Sequence, residues 1–332
     1  MKAMVLRKAV KGSWLSLEDV DEPVPGHDQV RVRVEGCGVC RTDLHIVEGD
    51  LPSKQGVIPG HQVVGIVEEV GPDVKELKIN DRVGVPWLHS TCGKCIQCMS
   101  GMENLCSEKQ FTGYSVPGGY AEKLLAREGY VIRLPVGEKT EELAPLLCAG
   151  IIGYRALKLV SPFPGKHLAI FGFGSSAHLT LQAAVALGVE TSVVSRGRKH
   201  LELAARLGAE HTYTYEELHN SDTKFDAAIV FAPAGETVKE ALASISPGGA
   251  VAVPAVHLDG LPAMDYEAHL FHEKRLFSVE ANTRADAQEF MRMASRLRLH
   301  AEVSKRPLEE ANAGLLDLLN GKVEASLVLT LQ

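Results

Sequence analysis

The stretch that most constrains the fold is Gly172-Phe173-Gly174-Ser175-Ser176-Ala177. It lies between the apolar run 166–171 and a helix-patterned segment, 179–187, that Gly188 closes. G-x-G-x-x-A between strand and helix is a dinucleotide-binding fingerprint, because the glycines let backbone approach a pyrophosphate seated on the helix N-terminus. An ordinary βα turn can carry the same letters, so the surroundings decide. Residues 191–194 read as the next strand, and the βα rhythm continues through 201–207, 225–231, 237–245, 250–253 and 276–280. The rhythm predicts a doubly wound parallel sheet of six strands.

Residues 1 to about 135 have another texture. Gln29-Val30-Arg31-Val32-Arg33-Val34 alternates strictly, and 63–71 and 81–85 are short β-branched runs bounded by glycine. Alternation with regular turns predicts a small distorted barrel, with helix only near Asp43 and Ile96. A chain of 332 residues suits two domains. After Asn282 come two amphipathic helices and a last strand, 325–331, which are expected to return to the first domain and make it discontinuous. The expected division is 1–150 with 282–332, and 151–281.

Net charge of −7 argues against a nucleic-acid partner, which would want a basic face. No apolar run is long enough to cross a bilayer, and the N-terminus has no signal-peptide core, so a cytoplasmic protein is expected. Seven cysteines, an odd number without an export signal, point to metal ligation rather than disulfides. Cys92, Cys95, Cys98 and Cys106 are spaced C-x2-C-x2-C-x7-C. Four thiolates at that density suit a closed tetrahedral zinc with no position left for substrate. Such a lobe alone names no function, since a zinc ribbon serves binding proteins equally well.

Gly36–His45 packs a thiol (Cys40), a guanidinium (Arg41), a hydroxyl (Thr42), a carboxylate (Asp43) and an imidazole (His45) into six residues where the alternating strand ends. His61 follows sixteen residues later at a glycine-marked turn, and Cys148 lies in an apolar run far downstream. On the nucleotide side, Ser195-Arg196-Gly197-Arg198-Lys199 follows the second strand of the fingerprint unit. An acid there would bind a ribose 2′-hydroxyl; three cations and a hydroxyl make a socket for a 2′-phosphate, which favours NADP(H) over NAD(H). The same letters also describe a solvated basic turn.

With both halves in view, the chain resembles the zinc-dependent medium-chain alcohol dehydrogenases, near their cinnamyl-alcohol-dehydrogenase-like bacterial branch. The residues that carry this are Cys40–His45, Gly60-His61, the Cys92–Cys106 lobe, Cys148 and Gly172-x-Gly174. The resemblance spans essentially the whole chain. It implies a GroES-like β-rich catalytic domain plus a Rossmann domain, with the active site in the cleft between them. It implies two zinc ions: a catalytic one on Cys40, His61 and Cys148, and a structural one on Cys92, Cys95, Cys98 and Cys106. Asp43 matches the carboxylate that orients the ligand imidazole, Thr42 the hydroxyl at the substrate oxygen, and His45 the outer end of a proton relay. Arg41 matches a cofactor-phosphate contact, with Gly172, Gly174, Ser175 and Ser176 at the pyrophosphate and Ser195, Arg196 and Lys199 at the ribose. Trp87 and Leu51 fall where relatives line the substrate pocket, although Trp87 also suits plain core.

Three positions depart from the family's usual pattern. Gln62 stands where glutamate is usual, Ile152 where many relatives have threonine, and Ser326 where many place an arginine at the pyrophosphate; Arg284 is the candidate to compensate. The implied activity is reversible hydride transfer between a nicotinamide cofactor and a primary alcohol or aldehyde. An NAD-dependent, polyol or formaldehyde-type enzyme on the same scaffold stays open, as does a zinc-ribbon redox-sensing binding protein. A homodimer or homotetramer is expected, with 277–280 as the contact strand.

Overall fold

The computed structural model describes residues 1–7, 11–52 and 55–331. Contacts group the chain into two compact units, one of residues 1–148, 281–291 and 300–332, the other of 149–280 and 292–299.

The first unit is built on the strand Gln29–Val39. Val30, Val32 and Val34 are buried while Arg31 and Arg33 turn outward, the period of two that the alternation demanded. Arg31 and Arg33 reach Glu69 and Glu68 of the neighbouring strand Val63–Val70, at 2.6 and 3.4 Å. Gln29–Val39 is long enough to serve several partners. Its first half pairs Lys123–Arg127, its last residues pair Ser326–Thr330, and Val63–Val70 runs antiparallel to it in register Val30↔Val70 to Cys37↔Val63. Arg82–Val85 and Ile132–Arg133 extend this seven-stranded sheet.

One strand of that sheet was not expected from the sequence. Val303–Pro307 lies parallel to Ser326–Thr330 at the sheet's end. Its residues, VSKRP, show no apolar alternation, because an edge strand is kept safe from further pairing by charge and proline.

The second unit holds the six-stranded parallel sheet. Its strands are His167–Phe171, Glu190–Val194, His211–Tyr213, Phe225–Val230, Ile245–Val253 and Arg275–Ser278. Counted along the chain within the sheet, their spatial order is 3-2-1-4-5-6, the doubly wound arrangement. Its two central strands, His167–Phe171 and Phe225–Val230, end in unbroken buried apolar runs, 168–171 and 227–230, as a sheet covered on both faces requires. Among the described residues no single helix is long and apolar enough to cross a membrane.

Candidate active site

Cys40 sits in extended backbone at the end of Gln29–Val39, immediately before the helix Arg41–Glu48. Asp43, the third residue of that helix, accepts the Cys40 backbone N–H at 2.9 Å and so caps the helix start. Gly49, at φ +88°, stops the helix in the left-handed region. Asp43 is buried and does more than cap: its Oδ1 meets His61 Nδ1 at 3.0 Å and accepts the Gly60 N–H at 3.1 Å. Tyr120, also buried, donates its hydroxyl to Oδ2 at 3.2 Å. Burial, then the Asp43 charge, push the Tyr120 hydroxyl well above its ordinary value, so it stays a donor.

With Nδ1 engaged, His61 has its second nitrogen available. Nε2 is buried and has no hydrogen-bond partner. A ligand atom of His61 and the Cys40 and Cys148 sulfurs all lie within 4.8 Å of one another. Burial alone would lower the imidazole's pKa, but the Asp43 carboxylate and the Cys40 thiolate override it and hold His61 up to about 10. The Cys148 thiol, by hydrogen bonding, holds Cys40 well below an ordinary cysteine, and Cys148 is raised in return. The site thus holds a thiolate against an imidazole that draws in positive charge. A divalent cation with a taste for nitrogen and sulfur satisfies both and fills the gap at Nε2, so these residues fit zinc.

Thr42 is buried, with Oγ1 3.7 Å from Cys40 Sγ. His45, three residues on and on the same helix face, meets Asp50 Oδ2 with Nδ1 at 2.8 Å. Arg41, at the first helical position, is exposed. Trp87 stands edge-on to His61 with ring centroids 4.7 Å apart, and it stacks on Phe111 at 4.6 Å and Tyr114 at 6.0 Å. Leu51 packs on the core of the same unit, and the Tyr114 hydroxyl holds its neighbour Pro52 by the carbonyl at 3.1 Å. Phe111, Tyr114 and Tyr120 were not singled out from the sequence; only Phe111-Thr112-Gly113-Tyr114, following the thiol lobe, hinted at an aromatic wall. Gln62 is buried beside Gly38, where an added Cβ would lie 2.7 Å from Gln62 Oε1.

Cys92, Cys95, Cys98 and Cys106 also converge, their sulfurs mutually within 4.8 Å. Cys95 and Cys98 lie 3.5 Å apart and Cys92 and Cys98 4.0 Å. A tetrahedral zinc with ordinary Zn–S bonds would set such pairs about 3.8 Å apart. Backbone N–H groups of Lys94 and Cys95 pull Cys92 down to about 7, which readies it as a thiolate.

Arg284 is placed in this lobe's company. Its Nε and Nη2 donate to Glu103 at 2.9 and 2.6 Å, its backbone N–H donates to the same carboxylate, and its guanidinium lies 4.7 Å over the Tyr130 ring. The structure therefore gives Arg284 a partner other than the pyrophosphate contact expected of it. A buried carboxylate inside a thiol lobe needs a cation, and Arg284 supplies one. Ser326 is buried at the start of its strand, its N–H bonded to Glu302 O at 3.0 Å.

In the second unit Gly172 has φ +81°, and an added Cβ would meet the Ala232 nitrogen at 2.9 Å, so no other residue fits. Gly174 caps the helix Ser175–Ala186, and the space a Cβ would occupy there is open. Ser175 and Ser176 form its first turn, with N–H groups of the kind that bind phosphate. Ser195 is buried just past the second strand, with Oγ 3.5 Å from His200 Nδ1, while Arg196 and Lys199 are exposed. Ile152 is half-buried in the helix Ala149–Val160.

Comparison with known proteins places the chain in a family. Residues 26–136 match the alcohol dehydrogenase GroES-like domain, and residues 177–296 the zinc-binding dehydrogenase domain. The chain is 44% identical over 313 residues to a probable alcohol dehydrogenase of Mycobacterium tuberculosis, covering 92% of this chain and 90% of the relative. It is 38% identical to an alcohol dehydrogenase of Geobacillus stearothermophilus, over 99% of both chains. A cinnamyl alcohol dehydrogenase structure from Sorghum bicolor superposes with a TM-score of 0.92 at 28% identity, covering 99% of this chain and 97% of that one. The fold, a GroES-like unit and a Rossmann sheet, is that of an oxidoreductase. The chain belongs to the zinc-dependent medium-chain alcohol dehydrogenase family.

Proposed function

We propose that this alcohol dehydrogenase carries out reversible hydride transfer between NADP(H) and a primary alcohol or aldehyde. The observation that carries the reading is the buried, unpartnered Nε2 of His61 beside the Cys40 and Cys148 sulfurs. In this reading Cys40, His61 and Cys148 would hold a catalytic zinc, three protein donors that leave room for substrate, and the four-thiol lobe would hold a structural zinc. Zinc at the first site supplies Lewis acidity, and the nicotinamide supplies or accepts the hydride.

The chain's own residues do the rest. Asp43 fixes the His61 tautomer by taking the Nδ1 proton in a hydrogen bond, which leaves Nε2 as the donor. Thr42 accepts or returns the substrate's hydroxyl proton, and His45, on the same helix face, hands it to solvent. Trp87, Phe111 and Tyr114 form an apolar wall that suits an aldehyde and keeps water out, with Leu51 on the loop beside them. Gly172, Gly174, Ser175 and Ser176 seat the pyrophosphate, Arg41 adds a phosphate contact, and Ser195, Arg196 and Lys199 bind the 2′-phosphate. The catalytic domain of this reading is 1–150 with 282–332, the nucleotide domain is 151–281, and the chain works as a homodimer or homotetramer.

The test is reduction of one aromatic aldehyde by zinc-replete protein with NADPH and NADH compared. The expected result is a kcat/KM for NADPH about tenfold or more above that for NADH, as two cations against a phosphate can supply. Preference for NADH makes the 195–199 turn solvated surface. No rate with either cofactor, on protein carrying two zinc ions, removes the aldehyde as substrate class.

A further inference from the structure

The Asp43 carboxylate receives four donors. Oδ1 takes Gly60 N–H and His61 Nδ1; Oδ2 takes Cys40 N–H at 2.9 Å and the Tyr120 hydroxyl at 3.2 Å. Three of these come from the two segments that carry Cys40 and His61. The fourth comes from a residue 77 positions along the chain, with no exposed surface.

Tyr120 also grips the turn that presents His61. Its N–H donates to Pro59 O at 2.9 Å, and its own carbonyl accepts Met4 N–H at 2.8 Å, so its backbone is pinned on both sides. Its ring lies on the α-carbon of Gly60: a Cβ there would fall 2.4 Å from Tyr120 Cδ1, and Gly60 has φ +98°. One side chain therefore touches both halves of the Asp43–His61 pair, the carboxylate through its hydroxyl and the histidine's turn through its ring.

We infer that Tyr120 is a positioning residue for the Cys40–His61–Cys148 centre: its hydroxyl fixes the plane of the Asp43 carboxylate so that His61 points Nε2 at the two sulfurs. The inference rests on the proposal that this centre holds zinc. Two donors on each oxygen hold the carboxylate against rotation about its Cβ–Cγ bond; without the hydroxyl, Oδ2 is held by the Cys40 N–H alone and the restraint on the plane weakens. Partners of a ligand histidine commonly change metal affinity by about 10- to 100-fold when removed. Tyr120→Phe deletes the hydroxyl and keeps the ring on Gly60, which separates the positioning function from packing.

The experiment follows zinc transfer from loaded protein to a chromogenic chelator. An open three-donor site gives up its ion before a closed four-thiolate site, so wild-type protein shows two phases, and Tyr120→Phe speeds the first about tenfold and leaves the second unchanged. In the cobalt-substituted protein the same variant shifts the d–d bands of the nitrogen-containing site. Adding Tyr120→Phe to Asp43→Asn has no further effect, because both act through one carboxylate. Identical phases and bands in Tyr120→Phe and wild type overturn the inference. Equal acceleration of both phases overturns it too, since that reports general loosening, as do independent effects in the double variant. A wild-type chain that binds a single zinc overturns the reading of the centre itself, an outcome the variants would not produce.

Discussion

At the scale of single residues, chemistry and sequence spacing agree best where a side chain's partner is close in the chain. Cys40, Asp43 and the lobe cysteines stand out because part of their work is local: Asp43 takes the Cys40 N–H from three residues away, and Cys95 and Cys98 meet at the same spacing. Arg284 is the opposite case. Nothing near it in sequence shows that Glu103, 181 residues away, will claim its guanidinium. The pair makes a decisive variant. With Arg284 replaced by methionine, Glu103 is a buried carboxylate without its cation. Arg284's side chain is 45% exposed, which discounts the loss to about 2 kcal/mol of stability, measurable by urea unfolding. KM for NADPH in Arg284→Met stays within about twofold of wild type, because the guanidinium is already committed. A large rise in that KM with unchanged unfolding would return Arg284 to the cofactor.

At the scale of elements, the period-two run 29–34, the G-x-G-x-x-A turn and the parallel strands were legible because each follows a local rule of burial or backbone freedom. Tyr120, Phe111 and Tyr114 were not, since three aromatics in turn-rich sequence carry no mark of which turn they will cover. The short strand Leu88–Ser90 makes the same point with a measurable consequence. His89, at its centre, is 4% exposed, its Nδ1 lacks a partner, and burial, then the Arg127 charge, push its pKa down to about 4. The folded state keeps this imidazole neutral, while the unfolded chain takes up a proton near pH 6.5. Between those values the unfolded state binds more protons, so stability is full at neutral pH and falls with acid from about pH 6.5 down to about pH 4. The loss attributable to His89 is about 2 kcal/mol at pH 5. Zinc ligands also titrate in acid, so the measurement is a difference: thermal midpoints of wild type and His89→Gln against pH, which converge as pH falls through this window. Parallel curves would show that His89 does not carry the effect.

At the scale of the whole molecule, the parallel sheet has two ends that differ in kind. One is the three-residue strand His211–Tyr213, short enough to discourage pairing. The other, Arg275–Ser278, pairs Ile245–Val253 on one side and carries Leu276 and Phe277 half-buried. The segment leading into it exposes Val256, Leu261, Tyr266 and Phe271, at 54, 49, 66 and 56%. Large apolar side chains concentrated in one segment beside a strand that ends its sheet among the described residues suit a partner, and the cheapest partner for an edge strand is a second copy of itself. On this reading, the homo-oligomer proposed above forms through that edge, continuing the sheet from one chain into the next. Phe277→Lys places a charge in that line, where two copies would meet like with like, and leaves the Cys40–His61–Cys148 cluster of the other unit untouched. Sedimentation of the variant then gives a species half the mass of wild type, with zinc content unchanged. A wild-type chain that sediments as a monomer, or a variant that keeps the wild-type mass, would mean that the exposed segment serves something other than self-association.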